Sequence, residues 1–228
     1  MHRVTATAHA PRLPLTRDRV LQAAIAYADK AGVEALSMRR LGQELGVEAM
    51  SLYNHIANKE DLLDGMVDVI VQEIEEPAST GDWKTILRAR ILSARQALLR
   101  HPWASAVMVT RTNMTPTMMR YMDSVIGILR RGGFSIDLAH HTIHVLGSRM
   151  LGFAQELYDD TEALEASPEI AAIMLKQMAD EYPHITELAM EISHDEGSIV
   201  GTGCDDLFEF EFALDLILDG LERSLERT

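Results

Sequence analysis

The chain has 228 residues, a single cysteine (Cys204), 47% apolar and 5% aromatic residues, and a formal net charge of −14. The apolar content supports packed cores and excludes a disordered chain; one cysteine excludes an intrachain disulfide and a zinc site built on cysteines. The charge is unevenly spread, with 8 Lys/Arg against 6 Asp/Glu in residues 1–60 and 13 against 29 in residues 61–228, so only the first quarter suits contact with phosphates and the acidic remainder would be repelled by them.

The N-terminal stretch has no apolar run of the signal-peptide kind. No segment approaches the roughly 20 apolar residues of a membrane span, which predicts a soluble cytoplasmic protein without membrane contact. Residues 1–15 read as a flexible arm, since Pro11 and Pro14 oppose helix. Arg3 and Arg12 suit a minor groove, but composition favours a plain disordered tail.

Thr16 predicts an N-cap for a helix over about 16–31, with Val20, Leu21, Ala24, Ile25 and Ala28 at helical spacing and Gly32 as the stop. Ser37 predicts a cap for a second helix, about 38–45, with Met38, Leu41 and Leu45 inward and Gly46 in the turn. A third short helix is expected over about 48–56. Asn58 then caps a fourth, about 59–75, with Asp61 placed for an approximate capping box. Pro77 to Gly81 form a linker, so the expected organisation is an arm at 1–15, a helix-turn-helix domain at 16–76 and a larger helical domain at 82–228.

The second part also reads as helices: 82–100, a short one after the His101-Pro102 break, 115–131 ending at Gly132-Gly133, and a long one over 135–158. Apolar steps at 136, 139, 143, 146, 150, 153 and 157 alternate three and four in that long helix, which marks a packing seam. Ser167-Pro168 opens a further helix, residues 193–206 read as a loop, and the last helix covers about 207–225. That last helix carries two apolar stripes: Leu207, Phe210, Leu214, Ile217 and Leu221, then Phe208, Phe212 and Leu216. Two stripes need cover on two sides, most simply the helix's own domain and a symmetry-related subunit. The fold class is all-α, with about ten helices.

Residues 37–60, SMRRLGQELGVEAMSLYNHIANKE, concentrate the functional signal. Leu41, Leu45, Val47, Leu52 and Ile56 are placed to lock two short helices around Gly46, leaving Glu48, Ala49, Met50, Ser51, Tyr53, Asn54 and His55 largely outward. A rigid support with an exposed face of donors, acceptors and small apolar groups is what reading base edges requires. Helix–glycine–helix alone also fits a plain three-helix bundle.

The full string LGQELGVEAMSLYNHIANKEDLL resembles the helix-turn-helix of the TetR family, through L-G-V-x-x-x-x-L-Y-x-H-x-x-N-K-x-x-L-L. The resemblance implies phosphate contacts for Tyr53 and Lys59 and for His55 or Ser51. It implies base contacts for Ala49, Met50, Asn54 and Arg39, the last able to take a guanine bidentately. It extends through G-D-W (81–83), H-P-W (101–103), R-G-G-F-S (131–135) and F-A-L-D-L-I-L-D-G-L (212–221), a layout similar to the C-terminal domain of the tetracycline-repressor subgroup. The implied assembly is a homodimer through helices 135–158 and 207–225, bound to a palindromic operator on double-stranded DNA.

The resemblance also implies a small-molecule effector cavity. Its lining would come from Arg90, Ala94, Met108, Arg111, Met118 and Met122, and from Ile143, Gly147, Met150 and Glu156. So many methionines suit a largely apolar effector, although each residue singly also reads as ordinary core. Glu156 falls at the subgroup's metal-side carboxylate, but its metal-binding histidine falls at Met108. A thioether is a poor ligand for a hard cation, so magnesium–tetracycline binding is not expected, and neither is any cofactor. His140 and His144 are four apart on one helix, a possible metal face. No nearby carboxylate or cysteine is expected to complete it, so packing or pH-sensing histidines are the favoured reading. The pairs Asp159-Asp160 and Asp205-Asp206 read as solvated surface.

The leading function is a ligand-released repressor; an activator or a ligand-independent regulator of the same fold is the alternative. No nucleophile elbow, P-loop, glycine-rich dinucleotide loop or metal-ligand set is present, which argues against an enzyme.

Overall fold

A computed structural model describes residues 14–112, 114–152, 179, 181–184, 186–187 and 206–227. Arg3, Arg12, Glu156, Cys204, the helix expected after Ser167-Pro168 and the loop expected before Asp206 lie outside these residues. Every regular element among the described residues is helical. The chain divides into two compact units, Met1–Pro77 with Arg90–Val125, and Ala78–Ala89 with Ile126–Thr228.

In the first unit, α1 (Arg17–Ala31) starts where Thr16 accepts from the Arg19 N–H at 3.2 Å and ends at Gly32. Its predicted apolar face, Val20 to Ala28, is buried. A single 3-10 turn, Val33–Ala35, follows and places Leu36 in the core. Then come α2 (Met38–Leu45), α3 (Ala49–Leu52) and α4 (Lys59–Gln72). Leu41, Leu52, Ile56, Leu62, Met66 and Ile70 are fully buried, and each such side chain contributes about 1.5–3 kcal/mol of burial free energy. Leu45 and Val47 are only half-buried.

Two ends differ from the sequence reading. The third helix stops at Leu52 rather than 56, because Tyr53, Asn54 and His55 donate to carbonyls three residues back (Met50, Ser51, Leu52) and tighten into turns. The fourth stops at Gln72 rather than 75 for the same reason, with Glu73 and Ile74 donating to Ile70 and Val71.

The same unit holds residues 90–100 of α5 (Trp83–Arg100), all of α6 (Trp103–Thr110) and residues 116–125 of α7 (Pro116–Arg131). The His101-Pro102 corner is tied to α1 and α4. The His101 Nδ1 lies 2.8 Å from Asp29 Oδ1 and its Nε2 lies 3.3 Å from Glu73 Oε1. Trp103 Nε1 donates to the same Asp29 oxygen at 2.7 Å.

The second unit contains the start of α5, the end of α7, α8 (Ile136–Gly152) and α9 (Asp206–Leu225). Acidic residues at 211, 215, 219 and 222 run along α9 and meet two cations of α5. Arg88 pairs with Glu211 at 2.9 Å and Asp215 at 2.7 Å, and Lys84 with Asp219 at 2.7 Å and Glu222 at 2.5 Å. These bonds hold the Lys84 ammonium well above its usual range and the Asp219 carboxyl below its own.

Phe210 and Leu214 of the first expected stripe are buried together with Leu218, and Ile217 and Leu221 are half-buried, whereas Leu207 at the head of that stripe is 49% exposed. Phe212 and Leu216 are also exposed. On α8 the inner face is Ala139, Thr142 and Leu146, with the Thr142 hydroxyl donating to the Leu138 carbonyl at 2.7 Å. Ile136, the first residue of the expected seam, points out, and Ile143 is half-buried. His140, His141 and His144 are exposed rather than packed. No helix among the described residues is long and apolar enough to cross a membrane.

Trp83 meets Phe134 edge-on at 4.7 Å between centroids, and a Cβ at Gly132 would fall 2.6 Å from the Trp83 ring. Gly132→Ala is therefore expected to destabilise the chain by about 1–3 kcal/mol through overpacking. The urea midpoint measures this, and an unchanged midpoint would show that the Trp83 ring can move aside at no cost.

Candidate nucleic-acid interface

The turn between α2 and α3 is built from two glycines with different jobs. Gly46 sits in the left-handed region (φ 66°, ψ 35°) and donates to the Gln43 carbonyl at 3.2 Å, while Val47 donates to the Gly42 carbonyl at 2.9 Å. These two bonds close a Schellman motif, which reverses the chain and satisfies the last carbonyls of α2. Gly42 makes room: a Cβ there would lie 2.9 Å from the Val47 carbonyl and 3.2 Å from the Ala49 backbone. The two helices thus meet backbone to backbone.

Leu41, Leu52 and Ile56, none of them exposed, pin α3 from beneath. Its outer surface then follows from helical geometry. Met50 is 74% and Tyr53 45% exposed; Asn54 is exposed too, and Ala49, Ser51 and His55 are half-buried at the rim. Arg39 and Lys59, both exposed, flank the surface from α2 and from the first residue of α4. All eight residues expected to face DNA therefore lie on one short stretch of the first unit. An open depression of about 410 Å³ lined by Gly42, Gln43, Gly46, Val47, Glu48 and Ser51 adjoins them. Gln43 lines this depression, and its spacing of four from Arg39 places both on one face of α2.

The paired arginines of α2 divide. Arg40 donates to the Tyr27 hydroxyl at 3.0 Å and the Ala35 carbonyl at 3.2 Å, so it serves the unit's own structure. Arg39 makes no hydrogen bond or ion pair among the described residues.

The far end of the surface is held by Arg17 and Asp61. Arg17 donates to both Asp61 oxygens, at 3.0 and 2.7 Å, and to the His55 carbonyl at 3.0 Å. Asn58 caps α4 by accepting from the Asp61 N–H at 2.9 Å. The Asp61 carboxylate reaches back to the Ala57 N–H at 2.7 Å, one residue earlier than a standard capping box. The Arg17 hydrogen bonds, with help from the Ala57 N–H, hold the Asp61 carboxyl below the usual carboxylate range.

The residues expected to line an effector cavity are distributed over both units. Arg90 is 4% exposed, lies 4.8 Å over the Tyr121 ring, donates to the Glu75 carbonyl and to Ser124 Oγ, and its buried Nε has no hydrogen-bond partner among the described residues. Burial pushes the Tyr121 hydroxyl up. Ala94 is buried, and Met108, Met118 and Met122 are half-buried. Arg111 engages α4 instead, pairing with Glu60 and, at 3.4 Å, with Asp64. Thr115 donates to Asp68 one turn further along. Ile143 and Gly147 are half-buried in the second unit; Met150 lies on α8 with only its main chain described, and Glu156 lies outside the described residues. Among the described residues, no group of three or more histidine, cysteine or carboxylate side chains is arranged to hold a metal ion.

Comparison with known proteins gives a consistent result. Residues 20–66 match the family described as bacterial regulatory proteins, tetR family, and residues 76–225 match the tetracyclin repressor-like C-terminal domain. The transcriptional repressor DrrR1 of Streptomyces coeruleorubidus is 32% identical over 223 residues, covering 93% of this chain and 79% of that protein. Apo ActR from Streptomyces coelicolor superposes with a TM-score of 0.72 at 28% identity, covering 94% of this chain and 98% of the other. ActR in complex with actinorhodin superposes with a TM-score of 0.67 at 30% identity, covering 93% and 99%.

Asp61→Asn removes the charge that Arg17 and Ala57 share. The loss of stability is expected to be about 1 kcal/mol, the scale of a helix-cap deletion, because solvent screens the half-exposed ion pair. A depressed folded-state pKa stabilises above the unfolded carboxyl value and is lost as pH falls through the folded one. The wild-type advantage over Asp61→Asn should thus be full at neutral pH and shrink below about pH 4. Parallel urea titrations at neutral and acid pH check it, and a pH-independent difference would refute the assignment.

Proposed function

The chain belongs to the tetR family of bacterial regulatory proteins, and from that premise we propose that it is a transcriptional repressor released from its operator by a small-molecule effector. Its business is binding rather than catalysis. The observation that carries this reading is the α3 surface: Met50, Tyr53 and Asn54 stand out over a fully buried Leu52 and Ile56, with Arg39 and Lys59 exposed on either side.

Tyr53 and Lys59, with His55 or Ser51, take phosphates. Arg39, Ala49, Met50 and Asn54 meet base edges, Arg39 suiting a guanine and Met50 a thymine methyl. The charge distribution supports the orientation, because the acidic residues after position 60 disfavour any other approach to the duplex.

The working unit is a homodimer through α8 and α9. Leu207, Phe212 and Leu216 leave α9 with exposed apolar surface on a second side, and the Phe208 and Phe212 rings stack at 6.4 Å. A twofold dimer presents two copies of α3 about 34 Å apart and calls for a palindromic operator. Residues 16–76 form the DNA-binding domain and 82–228 the effector and dimerisation domain.

The effector is a largely apolar molecule, and Arg90, Ala94, Met108, Arg111, Met118 and Met122 are its candidate contacts in the first unit. ActR, seen with actinorhodin, supports a small-molecule effector, and Met108 disfavours magnesium–tetracycline. Arg111 and Thr115, through Glu60, Asp64 and Asp68 of α4, link residues 90–125 to the helix that carries Lys59. Effector binding favours a state with the wrong spacing of recognition helices, by as much as its affinity differs between the two states.

The test is a fluorescence-anisotropy titration of DNA flanking the gene, or of sequences selected from random oligonucleotides, over a salt series. Tyr53→Ala should weaken binding at least tenfold. Lys59→Ala should lower the salt slope by about one for every sequence, whereas Arg39→Ala should cost about 1–3 kcal/mol at one base pair and relax the preference there. Failure of random-sequence selection to yield any salt-sensitive ligand would sink the repressor reading.

A further inference from the structure

α8 carries three histidines that the DNA and effector functions leave unused. Ala139, Thr142 and Leu146 anchor the helix on one side. His140, His141 and His144 stand on another, all exposed. The His140 and His144 rings come together, with centroids 4.6 Å apart and planes at 71°. His141 turns towards the previous turn, where its Nε2 lies 3.7 Å from Asp137 Oδ1.

We propose that His140 and His144 form a surface site for one divalent transition-metal ion of the nickel, copper or zinc class, a property separate from DNA binding that requires the proposed dimer through α8 to leave this face of the helix open. Two imidazoles four residues apart on a helix face the same way, one turn above the other. Nitrogens each about 2.1 Å from a shared ion sit roughly 3 Å apart in a cis arrangement, and rings whose centroids are 4.6 Å apart reach that separation by side-chain rotation alone. The opposite face of α8 is fixed by burial, so the helix need not reorganise. Among the described residues neither ring is paired with a carboxylate, and the nearby Asp137 faces His141.

Two protein ligands make an open site, whose remaining positions belong to water. Imidazole nitrogens select borderline ions over the hard magnesium and calcium ions. The chain's net charge of −14 favours cations without changing that preference.

The experiment is isothermal titration of the full, tag-free chain with NiCl2, repeated with ZnCl2 and MgCl2, in a non-chelating buffer. The variants are His140→Asn, His144→Asn, His141→Asn and, as a background control, His184→Asn, whose side chain is 96% exposed elsewhere. All four are at exposed positions, and far-UV circular dichroism checks that each keeps its helix content. The expected result is one saturable Ni2+ per chain, binding of Zn2+ but not Mg2+, at least tenfold weaker affinity in His140→Asn and in His144→Asn, and a change of less than twofold in His141→Asn and His184→Asn. Affinity unchanged in His144→Asn, no saturable Ni2+ binding, or half an ion per chain would overturn the proposal, the last by pointing to a site shared between two chains.

Discussion

The Arg17–Asp61 pair determines where the exposed surface of α3 can be. Arg17 stands at the first residue of α1 and Asp61 in the first turn of α4, 44 positions apart in sequence. Between them they bond the His55 carbonyl and the Ala57 N–H, which bracket the exit from the recognition segment. α3 itself is only four residues long, too short to be stable as an isolated helix. Its geometry comes from what grips its two ends: the Gly42–Val47 backbone contact before it and this carboxylate–guanidinium knot after it.

The same unit shows a second pattern of constraint on α4. Glu60, Asp64 and Asp68 lie four residues apart along one face, and each is held by a side chain from the 111–115 stretch. Glu73, further along, is held by Arg100 and His101. An acidic helix is in this way tied down by cations and hydroxyls supplied from a later part of the chain. Half-exposed pairs of this kind contribute little free energy singly, but several on one helix restrict how it can translate or roll. In the second unit α5 and α9 repeat the arrangement with the charges assigned the same way, cations on α5 and carboxylates on α9.

Sequence reasoning did well where the controlling interaction is local. Thr16, Ser37 and Asn58 cap the helices they were expected to cap, because a cap joins a side chain to an N–H three residues away. Gly46 ends α2 as expected for the same reason. The outward set around Met50 and Tyr53 was also legible, since burying Leu52 and Ile56 fixes the opposite face. Leu207, Ile136 and the α8 histidines were harder. Periodicity says that a helix has an apolar side, but not which of two nearly equal sides the neighbouring helix covers.

What the sequence determined by itself is therefore the all-helical class, the capped helix starts, the stop at Gly46, and the outward side of residues 49–55, each set by interactions within about five positions of the chain. The tertiary structure alone decided that Arg40 bonds Tyr27 while Arg39 stays free of such a bond among the described residues, that Arg111 grips α4, that Asp61 binds Arg17, and that α9 buries Phe210, Leu214 and Leu218. Each of these depends on a partner distant in sequence, and a periodic pattern contains no information about which distant charge or side chain will arrive beside it.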